Sequence, residues 1–448
     1  MWKPNKKNMP IAEFYRDYFI PNQILYVTAF FILLTISYFA IYRKYIRVIP
    51  TDHLFVNFIY STSGIALVFF MYLLDLIAIK HFLYFIISQF FFILGFITFK
   101  PYKGPKEVFK IDSKSVMINL IFHSSILLYI LSISITYYFQ GIPLLLENRL
   151  ETYQSGGGIG ILGRIINVMY PSIIYCLIYR IHVDNSLNKK ISNKHILVII
   201  LLFITGTLSG SKSAILLIVF VFTYFVMYFH TNKTMSKSTK RVLYYLMFLG
   251  FISAFIILIL PILKYNGNKL ASLEIFYKRI SISGDIFVFA YPNNIIDALK
   301  IPEPGYIALF KDFWGFSRIL SPSEIPPPLG TAIYQYVNNT SIIGGSNSRH
   351  NVFGYIYFGI IGGVCFSYVL GIITSFFRNK LPKMLKTTPL SGLIYTQFSL
   401  VCLNLELDPV YTLGQINNLI FIFLPFIFIL ILTVNTYGSK ARNYRSQL

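Results

Sequence analysis

A succession of apolar runs, each near the length that crosses a bilayer and separated by short polar segments, constrains this chain more than any other feature. A hydrocarbon core about 30 Å thick needs about 20 residues of helix, and inside it the backbone N–H and C=O groups must be satisfied internally. Such runs fall at about 22–42, 54–74, 81–99, 116–139, 159–180, 195–209, 213–230, 243–263, 352–377, 390–404 and 416–436. The stretch from 195 to 230 is too long for one helix and is split at Thr207-Leu-Ser-Gly-Ser-Lys-Ser213, which reads as a tight turn. The expected fold is an all-α, polytopic integral membrane protein of about 11 (10–12) transmembrane helices, with residues 1–448 forming a single transmembrane domain. Composition agrees, since 12% of residues are charged whereas a soluble domain carries about 25%.

The formal charge of +22 raises nucleic acid as a partner. A DNA binder gathers Lys and Arg on one face, and here they recur between apolar spans, which excludes that class and makes the charge a report of topology. Clusters stand at Arg43/Lys44/Arg47, Lys100 to Lys114, Arg180 to Lys194, Lys233 to Arg241, Arg378 to Lys386 and Lys440 to Arg445. With eleven spans every cluster falls on one side, the cytoplasmic side by the positive-inside rule. The N-terminal tail, with Lys3, Lys6, Lys7 and Arg16, is the exception. No cleavable signal peptide is expected ahead of the first span. Cys176, Cys365 and Cys402 lie in or at the ends of apolar runs, with no metal-ligand spacing.

The opposite face carries a loop over 140–160, the Ser-Gly-Ser-Lys-Ser turn, a large loop over 264–350 and a short one containing Glu406 and Asp408. A loop that long is expected to have a function. Leu270, Leu273, Phe276 or Tyr277 and Ile280 recur at helical spacing with Lys269, Lys278 and Arg279 between them, which predicts an amphipathic surface helix. Beyond it come the apolar stretch Asp285 to Tyr291 and the proline-rich stretch Ser321 to Pro328, a stiff extended strap.

Three spans, starting near 159, 213 and 352, run inward from this face, so their positive ends lie there. Each opens on small or polar residues and a cation: Gly156 to Gly160 with Arg164, Ser209 to Ser213 with Lys212, and Gly344 to His350 with Arg349. Converging, they would hold a strongly anionic group such as a lipid diphosphate, with Arg149 and Arg279 available from the loops. The plainer alternative is that these residues are caps and breakers, with Arg349 reaching lipid head groups. No Asp, Glu, Lys or Arg stands near the middle of an expected span, where the polar residues are Gln89, His123 and Gln397, with Asn404 near an end. That omission counts against a proton-driven transporter, and His123 is expected to bond between helices.

Glu147-Asn-Arg149-Leu-Glu151 after Gly141-Ile-Pro-Leu, the Thr-Leu-Ser-Gly-Ser-Lys-Ser hairpin, the large outer loop and then Arg349-His-Asn-Val-Phe-Gly-Tyr with Phe-Gly-Ile-Ile-Gly-Gly363 together resemble the Wzy polymerases of O-antigen and capsule repeat units. The resemblance covers most of the chain in layout, through short motifs. Lys212 stands where the family commonly has arginine, which keeps the charge and loses the two-pronged grip on phosphate.

The resemblance implies a metal-independent membrane glycosyltransferase of the bacterial inner membrane, without cofactor, whose active site faces the periplasm. It would move a growing glycan from undecaprenyl diphosphate onto a hydroxyl of the next lipid-linked repeat unit, and it admits a chain-length regulator protein as a partner. Arg149, Arg164, Lys212, Arg279 and Arg349 would meet the diphosphate charge. His350 is the first candidate for the base, with Asp285, Glu406 and Asp408 as carboxylate alternatives. Two other functions fit the layout: an O-antigen ligase, which differs in acceptor, and a passive flippase or transporter of lipid-linked oligosaccharide.

Overall fold

A computed structural model describes residues 13–105, 116–145, 160–187, 192–209, 212–229, 245, 248, 284–321, 324–340 and 345–445. Among them the fold is all-helical, with no strand. The principal helices are α1 (Gln23–Ala40), α2 (His53–Leu73), α3 (Ile79–Phe96), α4 (Val116–Gln140), α5 (Gly160–Ser186), α6 (Asn193–Leu208), α7 (Lys212–Phe229), α8 (Asp285–Ala290), α9 (Leu329–Asn338), α10 (His350–Ser375), α11 (Pro389–Cys402), α12 (Pro409–Asn418) and α13 (Leu424–Arg445). Among the described residues seven runs are helical, long and apolar enough to cross a membrane: Gln23–Ala40, His53–Leu73, Ile79–Phe96, Val116–Leu145, Gly160–Ser186, His350–Met384 and Pro409–Thr436. Asn193–Leu208 and Leu216–Phe229 are shorter apolar helices. The expected span over 243–263 and the amphipathic helix over 270–280 lie outside the described residues. Bare apolar faces such as Ile24, Phe31, Ile32, Ile36 and Phe39 of α1 are what lipid would cover.

The chain forms two compact units. The first comprises 1–102, 255–380 and 401–414, and the second 103–254, 381–400 and 415–448. In the second unit α5 contains Pro171, whose ring removes one bond from the helical ladder. Beside it Gln397 of α11 donates to the Val168 carbonyl at 3.0 Å and the Ser172 hydroxyl at 2.7 Å. His123, expected to bond between helices, instead contacts the carbonyl of Asn119 one turn back in its own helix at 2.7 Å.

In the first unit the loops after α1, α3 and α10 meet at one end. Arg378 donates to the Tyr45 carbonyl at 3.0 Å and to the buried Asp52 carboxylate at 2.7 Å, and the Tyr102 N–H reaches Asn379 at 3.4 Å. Three of the basic segments therefore share one end, as the charge pattern requires. The α2–α3 turn lies at the other end, with Lys80 and Asp297 paired beside it.

α10 departs from the single span expected over 352–377. Gly359 has φ 68 and ψ −169, a region open essentially to glycine alone, and the helix doubles back there. His350 thereby meets Ser367, Phe353 packs against Phe366 at a tilt with ring centroids 5.6 Å apart, and a Cβ on Gly354 would come within 2.9 Å of the Gly363 Cα. The element is a helical hairpin with legs 350–358 and 360–375. Its second leg packs on α3 so closely that a Cβ on Gly95 would overlap the Tyr368 carbonyl, and one on Gly371 the Phe92 carbonyl.

Of the expected outer loop, 264–283 lies outside the described residues, while α8 packs into the core with Leu67, Val68, Phe85 and Phe353. Gly359→Ala meets no neighbour, so its cost is backbone strain of about 1–3 kcal/mol. Gly371→Leu must push the backbones of α3 and the second leg apart and is expected to abolish the folded protein, which thermal unfolding followed by size-exclusion chromatography in detergent distinguishes from the modest loss at Gly359.

Candidate functional site

The hairpin sets the site by carrying its own first residues into the bundle. The chain runs through 345–349 as irregular backbone, turns into the leg 350–358 and climbs toward the α2–α3 turn, where Tyr355 meets Asp297 at 2.7 Å. Arg349 and His350 thus stand at the inner start of a short leg and not at the outer mouth. Gln89, which touches His350, lies about 15 Å along α3 from its start at Ile79, by helical rise.

Arg349 is 1% exposed. Its Nη2 donates to the Tyr60 carbonyl of α2 at 3.0 Å, and its guanidinium lies over the Phe287 ring of α8, 5.4 Å from the centroid. Gly64 leaves the room: a Cβ there would come within 2.9 Å of Nη2. Beside Tyr60, the Ser61 hydroxyl donates to Oε1 of Glu406. Glu406 ends the 3-10 turn Leu403–Glu406, which Asn57 holds by donating to the Leu403 carbonyl at 2.9 Å. Glu406 is therefore buried at the middle of α2 and not an acid of a short outer loop, and it acts electrostatically on Arg349. The expectation that no ionisable group approaches a span centre fails for a topological reason: two irregular junctions deliver Arg349 and Glu406 there.

Gln89 of α3 joins the two halves. Its Nε2 donates to Glu406 Oε1 at 2.7 Å, so its Oε1 faces His350 Nε2 at 3.2 Å. That arrangement makes Nε2 of His350 the protonated nitrogen. Nδ1 contacts the Ser367 hydroxyl at 2.8 Å, and the ring stacks on Phe92 at 4.9 Å. Asn351 donates to Ser88 at 2.8 Å, and Tyr84 donates to the Asn351 carbonyl at 2.9 Å. Among the described residues, the hydrogen bonds from Ser61 and Gln89 both go to Oε1 of Glu406.

The other expected site residues are placed as follows. Asp285 is buried at the start of α8 and accepts from the Tyr15 hydroxyl at 3.0 Å. Asp408 is half-buried near Lys311, away from this network; desolvation pushes its carboxyl up to about 6, opposed by the Tyr411 N–H and then by Lys311. Arg164 belongs to the second unit, where it donates to Asn418 at 2.8 Å. Arg149, Arg279 and the side chain of Lys212 lie outside the described residues. The helix starts at 160 and 212 belong to the second unit as well. Among the described residues no three His, Cys, Asp or Glu side chains gather as a metal would need.

Sequence reasoning missed a second polar cluster in the first unit. Asp297 accepts from Tyr355 at 2.7 Å, pairs with Lys80 at 2.5 Å and meets His81 Nε2 at 3.1 Å. Burial alone would raise the Asp297 carboxyl, but the bonds from Lys80 and Tyr355, with His81 nearby, hold it below its ordinary value. These residues are scattered through the sequence and share no motif, so no signal marked them.

A carboxyl whose folded pKa is depressed contributes stability at neutral pH that is lost as pH falls through the carboxylate range. Asp297→Asn is therefore expected to be less stable than the parent at pH 7, with the gap closing by about pH 3, as thermal melts across that range would read. For the buried pair, a double-mutant cycle of Arg349→Met and Glu406→Leu is expected to give a coupling of about 0.5–3 kcal/mol, because removing either alone strands the other charge.

No protein-family model matches the chain, and neither does any curated protein or solved structure.

Proposed function

We propose that this chain is a membrane glycosyltransferase that polymerises oligosaccharide units carried on a lipid diphosphate. The observation that supports the reading is that two consecutive residues of α2, Tyr60 and Ser61, hold a guanidinium and a carboxylate side by side in the interior. Glycosyl transfer from a diphosphate needs both groups. The acceptor hydroxyl oxygen attacks the anomeric carbon, the bond from that carbon to the diphosphate oxygen breaks, and the diphosphate leaves with the electron pair. Arg349 meets the charge growing on the leaving group. Glu406 takes the hydroxyl proton on Oε2. It is preferred to His350, whose nitrogens already face Gln89 and Ser367. Undecaprenyl diphosphate as the carrier, the periplasmic side as the site of action and independence from metal ions belong to the same proposal and rest on the resemblance to Wzy polymerases.

A second reading is favoured by depth. Arg349 and Glu406 lie about half way along α2, next to the start of a broken helix, an arrangement that transporters use for anionic substrates. On this reading the chain moves the lipid-linked unit across the membrane without reacting it.

Deleting the gene in its own host and running the surface glycolipid on a gel separates the two. The polymerase reading expects the ladder to collapse to core plus one repeat unit. Arg349→Ala and Glu406→Gln, present in the membrane at parental level, should not restore it. A bare core with single units trapped at the cytoplasmic face would establish transport instead, and long glycan accumulating on the carrier would establish ligation. A normal ladder from both variants would remove this site from the chemistry.

A further inference from the structure

Three fully buried side chains on the path between the two clusters of the first unit each keep a polar atom with no hydrogen-bond partner among the described residues: Nδ1 of His81, the hydroxyl of Tyr291 and Oδ1 of Asn351. Their placement is continuous. His81 touches Asp297 through Nε2 at 3.1 Å and lies nearly parallel to the Tyr291 ring, with centroids 6.0 Å apart. Tyr291 is close enough to Arg349 and to Tyr84 to interact with both electrostatically. Tyr84 in turn donates to the Asn351 backbone. On α3 the residues His81, Tyr84, Ser88 and Gln89 are spaced to lie on one buried face, which covers about 12 Å of helix. An unpaired buried polar atom costs about 1–3 kcal/mol. Three in neighbouring positions of one core call for a common partner, and bound water is the partner that pairs with buried polar groups the protein leaves unmatched.

We propose that a file of ordered water runs along this face, from the Asp297 end past His81 and Tyr291 to Asn351 and the central Arg349–Glu406 site, and that protons leave the site through it. The residues are suited to relay as well as to solvation. His81 Nε2–H points at Asp297, so Nδ1 presents a lone pair to the file. A proton accepted on Nδ1 is matched by one released from Nε2 to the Asp297 carboxylate, and the ring returns to its starting tautomer by turning over or by the reverse exchange. The Tyr291 hydroxyl can accept one proton and give up another, whereas Phe287, stacked on it at 5.6 Å, can do neither. The water file stands without any functional assignment; its use for the proton released from an acceptor hydroxyl rests on the glycosyltransferase reading.

Hydroxyl-radical footprinting of the full-length protein in detergent tests the file directly, because radicals formed from bound water oxidise the side chains beside it. Met71 is the internal control, being fully buried in the same core and intrinsically more reactive. Oxidation of Tyr291 and His81 faster than Met71 is the expected result, and oxidation no faster than Met71 would overturn the proposal while leaving the function untouched. Tyr291→Phe, which keeps the ring and removes only the hydroxyl, tests the relay. With lipid-linked substrate, turnover should fall about tenfold with KM unchanged and a smaller solvent isotope effect. Parental turnover and isotope effect in Tyr291→Phe would reject the relay. Normal footprinting in a chain whose deletion leaves the glycan ladder intact would keep the file and discard the enzyme.

Discussion

The first unit depends on carrying one guanidinium, that of Arg349, into the middle of a helical bundle. Desolvating such a group costs several kcal/mol even after the protein relaxes. The surrounding residues offset this with the Tyr60 carbonyl, the face of Phe287 and the nearby Glu406 carboxylate. A cation over an aromatic face, worth about 0.5–1 kcal/mol when exposed, reaches about 2 when desolvated, so the ring contributes more here than it would at a surface. Gly64 completes the fit, since any side chain there would occupy the volume the guanidinium fills.

That placement in turn requires irregular backbone deep in an apolar bundle, tolerated only where protein groups satisfy it. The hairpin supplies them. The leg 350–358 restores helical bonding directly after Arg349, Asn351 is tied to α3 through both Ser88 and Tyr84, and the turn at Gly359 returns the chain so that Ser367 can reach His350. Gly95 and Gly371 let α3 and the second leg touch backbone to backbone, which holds Gln89 at the height where it spans His350 and Glu406.

Much of the helical framework was legible in the sequence, because apolar length is decided locally by the hydrocarbon thickness. The grouping of basic loops was legible too: the segments near Arg43, Lys100 and Arg378 do meet at one end of the first unit. What periodicity could not show was depth. Arg349 and His350 do open a helix, as their position between polar and apolar residues implies, but a run of hydropathy reads the same whether the chain crosses once or doubles back. The trace left in the sequence was glycine: Gly359 with Gly362 and Gly363 stands where a straight span has no use for three small residues so close together. Glu406 misled for the opposite reason, since an acid between two apolar runs looks like a loop residue until Asn57 and Ser61 are found beneath it.

Gln89 decides how the central residues divide their labour. An amide fixes orientation through its two unlike ends but does not pass a proton along under ordinary conditions. The contact chain from His350 through Gln89 to Glu406 therefore aligns the two groups without letting one serve as the other's relay. The site accordingly has two sides. On the α2 side, Arg349 and Glu406 stand side by side, with Ser61 and Gln89 both bonded to Oε1 of the carboxyl group. On the α3 side, His350 and Asn351 are held by Ser367, Ser88 and Tyr84 and act to position the leg. On the proposed reading His350, the first candidate base in the sequence, seats the arginine beside it, and Glu406, one of the three carboxylate alternatives, accepts the proton.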